Sequence, residues 1–303
     1  TADVFTTVSH ITALEATHLL DKKPEPLLLN GLDLRQFPKT KDIMQVKSES
    51  KKRLCTQLKE RFNDINEDSD IFFTSGRYEF SNKGMDICVD ALGEINEELK
   101  SGTLKIDTEK IFAIFFVPAG HNDTLTQKEP AQLSTHELID PDNDPLIKAF
   151  RKNKLSNDTD DRVRVLFLPT YLDKYDNFLD RDYYDVTLGC DVGVFASYYE
   201  PWGYTPAEAN ALGCISITSD LAGYGRFMKE YAPGNESVHV IERFEKTREE
   251  STAGLKNTMI HYITLSKEQK DSAKIGARKI IEECSWQKFF ENYEDAYDKA
   301  LKK

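Results

Sequence analysis

At 303 residues the chain has room for about two domains, and a 39% hydrophobic share with 17 Phe and 13 Tyr excludes global disorder. Forty Lys and Arg against 52 Asp and Glu leave a net charge of −12, which excludes holding a nucleic-acid backbone by bulk electrostatics but leaves a local phosphate site open. No apolar run approaches the ~18 residues needed to cross a bilayer, so no membrane partner is expected, and Thr1-Ala2-Asp3-Val4-Phe5 lacks the basic-then-apolar order of a signal peptide.

The elements follow in chain order. Ser9 is placed to cap a helix carrying Ile11, Leu14, His18 and Leu19, which Pro24 and Pro26 end. Leu27-Leu28-Leu29 reads as a short buried strand closed by Asn30-Gly31. Residues 39–70 read as a solvated helix around Leu54, Leu58 and Phe62, then an acidic loop. From there the pattern changes. Ile71–Thr74, Ile111–Val117, Val163–Leu168, Val192–Phe195, Ile215–Ile217 and Val238–Ile241 are short, continuous apolar strands, and helical patterns such as Met85–Leu99 separate most of them. That alternation means an α/β fold built on a parallel sheet covered on both faces.

Residues 119–162 interrupt the rhythm. Asp140–Asp144 resembles the start of a calcium loop, but Pro145 stands where the sharp-turn Gly belongs and Arg151 where the bidentate Glu belongs, so a solvated insertion is expected. Near the end, Trp286, Phe289, Phe290, Tyr293, Tyr297, Ala300 and Leu301 share helical spacing and are expected to pack in the core. The five cysteines, Cys55, Cys88, Cys190, Cys214 and Cys284, are odd in number and far apart. With no C-x-x-C pair they read as reduced, buried thiols of a cytoplasmic protein. No metal cluster and no cofactor are expected.

Three segments carry chemistry. Gly76–Gly84 follows a buried strand and precedes a helix, the edge where open α/β sheets bind ligands. Within it Arg77 offers a planar fork and Lys83 a compact charge, together suited to a diphosphate. Ser197–Glu208 also follows a buried strand. Here Thr205 fits an N-cap, Pro206 the first helical position and Glu208 the third position of a capping box, while the helix start offers amides to a phosphate. Glu200 has no such structural task, and an unpaired carboxylate among aromatics is costly. Gly223-Tyr224-Gly225-Arg226-Phe227-Met228 mimics a dinucleotide loop, but Met228 replaces the third Gly, which argues against nicotinamide binding.

GRYEFSNKG at Gly76–Gly84 and GVFASYYEPWGYTPAEANALG at Gly193–Gly213, with ADVFTTVSHITALEATHLL and the NGL at Asn30, resemble the animal and fungal type of glycogen synthase and its bacterial relatives. The likeness spans residues 2 to about 230. It implies a retaining GT-B glycosyltransferase that moves glucose from UDP-glucose or ADP-glucose, with UDP-glucose favoured, to the 4-hydroxyl end of an α-1,4-glucan. It further implies catalytic roles for Glu200, Arg77 and Lys83: Glu200 beside the donor glucose, and the two cations on the diphosphate. Tyr183 would stack on the base, the amides of Gly203, Tyr204 and Thr205 would face the phosphates, and Glu208 would hold the ribose. By the same resemblance residues 1–34 are the tail of an N-terminal Rossmann domain otherwise absent from this chain. Residues 35–284 are the nucleotide-sugar domain, and 285–303 a helix returning to the domain interface. The chain then reads as a fragment. Two other readings stay open: a non-catalytic donor-domain module, and a retaining hexosyltransferase acting on a small sugar. A homo-oligomer also stays open. Animal and fungal members carry an arginine-dense helix for glucose 6-phosphate, whereas Arg243, Arg248 and Arg278 are the only arginines after Val238.

Overall fold

The computed structural model describes residues 3–106, 110–125 and 131–302; Thr1 and Ala2, where the family likeness begins, lie outside them. The strands in chain order are β1 (Asp70–Ser75), β2 (Ile111–Phe116), β3 (His121–Thr124), β4 (His136–Leu138), β5 (Val163–Leu168), β6 (Val192–Phe195), β7 (Ile215–Ser219) and β8 (Val238–Ile241). The helices are α1 (His10–Leu20), α2 (Ile43–Leu58), α3 (Met85–Ser101), α4 (Pro145–Lys152), α5 (Tyr183–Leu188), α6 (Tyr204–Ala211), α7 (Gly223–Tyr231), α8 (Arg248–Ile263), α9 (Lys267–Ile280) and α10 (Trp286–Leu301).

The continuous apolar runs became strands, and all but β8, whose His239 and Val240 are half-buried, are covered on both faces. All residues of β1, β2, β5, β6 and β7 are buried. The six strands form one parallel sheet in the order β5-β2-β1-β6-β7-β8. One apolar cluster joins α2 and α6 to the sheet through residues such as Leu54, Leu58, Phe73 and Ala207. A second joins α3, α4 and α8 to the other face through Ile95, Phe115, Phe150 and Met259. The chain builds outward from β1 through β2 to β5, then returns and builds the other way from β6. The switch in direction therefore falls between β1 and β6, and at such a point the loops leaving the strand ends diverge and leave a crevice.

Outside the sheet several expectations change. Ser9 does cap α1, accepting from the Thr12 N–H at 3.3 Å, but the helix ends at Asp21 in a left-handed turn, before Pro24 is reached. Leu27–Leu29 is neither a strand nor buried; it makes one bridge, Leu27 to Thr7. The helix within 39–70 is solvated on one face only, since Ile43, Leu54, Cys55 and Leu58 are buried, as is Phe62 beyond it. The insertion at 119–162 is no bare loop. It holds the β3–β4 hairpin and α4, whose Leu146, Ile147 and Phe150 are core residues. Asp144 of the calcium-like run caps that helix, accepting from Leu146 and Ile147 at 2.9 Å each.

The expected burial of the last aromatic stripe fails, and helical geometry gives the reason. The stripe is two stripes. Phe289 and Ala296, seven apart, face inward and are buried. Phe290, Tyr297 and Leu301 face outward and are exposed, with Trp286 and Tyr293 at their edge.

Candidate functional site

The β1 and β6 ends lie side by side, and the two segments singled out for chemistry leave from them. Gly84 makes their contact possible. It is the N-cap of α3 with φ +70°, and a Cβ there would lie 1.9 Å from the Ala196 carbonyl oxygen. Only a residue without a side chain lets the Lys83 turn pack onto the end of β6. The Tyr198 N–H then donates to the Asn82 carbonyl at 2.7 Å, and the Lys83 ammonium donates to the Glu200 carboxylate in a short ion pair, both side chains being mostly buried.

Glu200 is fixed from its other side. Its N–H donates to the Leu221 carbonyl at 3.1 Å, and its carbonyl accepts from Gly223 at 3.0 Å. The dinucleotide-like loop thus braces the Glu200 segment. Beneath that segment, Trp202 is buried against Tyr224, Phe227 and Phe289.

The start of α6 departs from the expected capping box. Gly203, at φ +100°, is the N-cap, with no side chain bonded to the first-turn amides. Tyr204 and Thr205 are the first two helical residues and Pro206 the third, which is tolerated because the third amide has no helical acceptor either. Thr205 is therefore not the cap. Glu208 closes no box; it accepts from the Tyr184 hydroxyl at 2.8 Å. Burial raises the Glu208 pKa, and the Tyr184 bond only partly opposes it.

A cleft of about 500 Å³ opens at the same sheet edge, and its lining includes Ser75, Gly76, Arg77, Tyr171, Tyr183 and Thr205. Arg77 is 79% exposed and pairs with Glu79 at 3.1 Å. Tyr183 is held by a 2.7 Å hydrogen bond to Ser75, and burial pushes its phenol pKa up. Thus Arg77, Tyr183 and Thr205 share the cleft, and Lys83 and Glu200 touch each other. Gly203 lies beside Glu200: a Cβ on it would stand 3.3 Å from the Glu200 Cγ. Tyr204 is 41% exposed on the first turn of α6. Glu208 lies one turn along the helix from Tyr204, bonded to Tyr184.

Sequence reasoning missed Tyr171, an exposed aromatic on the loop after β5. The rule that singled out the β1 and β6 loops applies equally there, because Pro169 marks another strand ending at this edge.

A larger cleft, about 720 Å³, lies at the opposite sheet edge and is lined by lysines. Lys51 and Lys274 pair with Asp191 at 2.8 and 2.7 Å, Lys270 with Asp70 at 2.8 Å, and Lys47 donates to the Leu188 and Cys190 carbonyls at 3.2 and 2.7 Å. These contacts tie α2 and α9 to the sheet. Of the three late arginines, Arg243 and Arg248 line one cavity with Lys246 and Asp86, and each is held by its own partners, as is Arg278. Arg243 donates to the Ala196 carbonyl, Arg248 pairs with Asp86 and Asp90, and Arg278 donates to the Pro38 carbonyl. Among the described residues, no three His, Cys, Asp or Glu side chains converge as metal ligands would, and no helix is long and apolar enough to cross a membrane.

The family model for glycogen synthase matches residues 1–132 and 123–303. The glycogen [starch] synthase of Caenorhabditis elegans is 31% identical, with 100% of this chain aligned to 55% of that protein. The chain therefore spans about half the length of the curated relatives it matches. Among solved structures, the catalytic domain of Arabidopsis thaliana starch synthase IV, bound to ADP and acarbose, superposes with TM-score 0.63 at 16% identity, covering 99% of this chain and 56% of that one. Anabaena HepE in complex with UDP gives 0.57 at 15% identity, covering 98% and 64%. At these identities the structures establish the shared α/β, GT-B-type fold.

Proposed function

The chain belongs to the glycogen synthase family, and from that premise we propose that it supplies the donor half of a retaining glucosyltransferase. The complete protein moves glucose from UDP-glucose to the 4-hydroxyl at the non-reducing end of an α-1,4-glucan. ADP-glucose is the alternative donor. The observation that carries this reading is the Lys83–Glu200 contact at the β1/β6 switch point. Two loops more than a hundred residues apart bring one cation and one carboxylate together where a nucleotide sugar is bound in folds of this kind.

The residues divide the work by their chemistry. Breaking a sugar–phosphate bond leaves charge on the departing diphosphate, so the main catalytic task is to stabilise that charge. Arg77, at the mouth of the cleft, presents a bidentate fork, and Lys83 a point charge. The uncapped amides of Tyr204 and Thr205 add donors at a helix N-terminus. As Lys83 turns toward phosphate, Glu200 is released beside the donor glucose, where a carboxylate supports developing positive charge on the sugar ring. Tyr183 and Tyr171 offer two aromatic walls to the base. Glu208 stands behind Tyr183 and reaches the ribose by a side-chain movement away from Tyr184.

The nucleotides named with the structural neighbours, ADP and UDP, support a nucleotide-sugar site. In this reading residues 35–284 form the donor domain, residues 1–34 belong to the preceding domain, and α10 packs back at the interface between the two. The exposed stripe on α10 supports that contact. Five buried, unpaired cysteines fit a reducing compartment such as the cytoplasm.

Titration of the chain with UDP, ADP and uridine tests the assignment. UDP should bind best, and Lys83→Ala should weaken UDP by about 1.5–3 kcal/mol, the range for a hydrogen bond to a charged group, while leaving uridine unchanged. Equal losses for uridine and UDP would mean that Lys83 holds the fold and not the phosphate.

A further inference from the structure

Glu79 is the one carboxylate in the Gly76–Gly84 loop, and the mechanism above gives it no part. Yet its carboxylate touches the Arg77 guanidinium, and its backbone bonds the Lys83 amide. Its Oε1 lies 3.1 Å from Arg77 Nη2, and its Oε2 accepts from Asn82 Nδ2 at 2.7 Å. Its N–H donates to the Arg77 carbonyl at 2.7 Å, and its own carbonyl accepts from the Lys83 N–H at 2.8 Å. Asn82 in turn receives the Tyr198 N–H, two residues before Glu200. Glu79 is not a helix cap, because α3 begins at Gly84 without a side-chain cap.

We propose that Glu79 is a positioning residue for donor binding. Its carboxylate spans Arg77 and Asn82, so that the guanidinium waits at the cleft mouth in the orientation that receives the diphosphate. The proposal rests on the reading of Arg77 and Lys83 as phosphate ligands. The physical need is plain. Arg77 is 79% exposed, and a free arginine side chain carries rotamer entropy that binding would have to remove. Glu79 removes part of it beforehand. It engages Nη2 and leaves the other guanidinium donors for phosphate, so the pair need not break when the donor arrives. The Asn82 bond keeps the carboxylate from following Arg77 inward, where it would repel the diphosphate.

The test is a titration of this chain with UDP and uridine, using the wild type, Glu79→Ala, Glu79→Gln and Arg77→Ala, together with the Arg77→Ala/Glu79→Ala double variant. Glu79→Ala should weaken UDP about tenfold, equivalent to about 1.4 kcal/mol, and leave uridine unchanged. Glu79→Gln, which keeps one acceptor oxygen, should lose less but still measurably. In the Arg77→Ala background Glu79→Ala should add little, because the side chain it positions is gone. Unchanged UDP affinity in both Glu79 variants, equal losses for UDP and uridine, or full additivity in the double variant would overturn the role. If Glu79→Ala does not fold, a Gln variant that binds UDP like the wild type overturns it alone. Failure of the wild type to bind UDP is a separate result, which removes the donor-site reading itself and this inference with it.

Discussion

The two glutamates of the α6 segment differ in what holds them, and the difference sets distinct outcomes for the same substitution. Glu200 pairs with Lys83, both side chains mostly buried. Glu208 is half-buried, accepts one hydroxyl, and has its pKa raised by burial. On the proposed function, Glu200→Gln in the complete protein should leave the melting temperature and UDP affinity nearly intact and lower turnover at least tenfold, about 1.4 kcal/mol of barrier. Glu208→Gln should weaken UDP binding. It should also leave stability at neutral pH unchanged or slightly higher, because a buried carboxylate is replaced by a neutral acceptor. The sign follows from linkage: a raised carboxyl pKa favours the folded state below the unfolded value near pH 4 and is a penalty once the group ionises. The gain from Gln should therefore vanish in acid. Melting curves at pH 7 and pH 4 check this, and a Glu200→Gln protein that unfolds with normal turnover per folded molecule would make Glu200 a structural carboxylate. At this scale the sequence was legible in residue identity more than in geometry. Glu200 stood out because no local task explained it. Glu208 reads as a capping residue because Thr205 and Pro206 mimic a helix start, whereas the positive φ of Gly203, invisible in a pattern of residue types, begins the helix earlier.

Elements show the same contrast. The six strands of the parallel sheet could be read because strands buried on both faces have no polar side to blur them. The last helix could not, because its aromatic positions at 286, 290, 293 and 297 fall on one face and Phe289 with Ala296 on another, and composition does not say which face meets the sheet. The lysines of α2 and α9 were equally hidden. Each looks solvated in sequence, yet Lys51 and Lys274 converge on Asp191, which also accepts the Ile71 N–H at 2.9 Å. Burial alone would raise the Asp191 pKa, but Lys274, Lys51 and Lys47 outweigh it and hold the carboxyl well below the usual range. The depressed value contributes stability above the unfolded pKa of about 3.9, and that stability is lost as the pH falls toward the folded value. Asp191→Asn leaves two buried ammonium groups uncompensated and should cost about 3–5 kcal/mol. Urea unfolding should show a wild-type stability that declines below pH 4 and a variant that is weaker at pH 7 but flatter in acid. A variant as stable as the wild type at pH 7 would show that this network does not lock α2 and α9 to the sheet.

Across the whole molecule, the residues proposed to bind the donor gather at one edge of one sheet, and several of them open outward. Arg77 is 79% exposed, Tyr171 77% and Tyr204 41%. Transfer of a glycosyl group to a sugar hydroxyl requires that water, a competing acceptor at far higher concentration, be kept from the sugar–phosphate bond. On the proposed function, the described residues would build one wall of such an enclosure. The outward stripe of α10, with Phe290 47%, Tyr297 57% and Leu301 84% exposed, and Leu14, Leu19 and Leu20 of α1, at 61%, 77% and 63%, leave apolar surface of the kind that marks a contact site. Binding and turnover should therefore separate. The 303-residue chain should bind UDP, since Arg77, Lys83, Tyr183 and the start of α6 are all in place, but should add no glucose to glycogen from UDP-glucose under conditions where a full-length relative does. Closure against a second domain is the step that would complete the site and align the acceptor hydroxyl. Incorporation of labelled glucose into glycogen, measured beside a UDP titration on the same preparation, distinguishes the outcomes. UDP binding without incorporation is expected. Robust glucan extension by this chain alone would show that the sheet edge excludes water without a second wall.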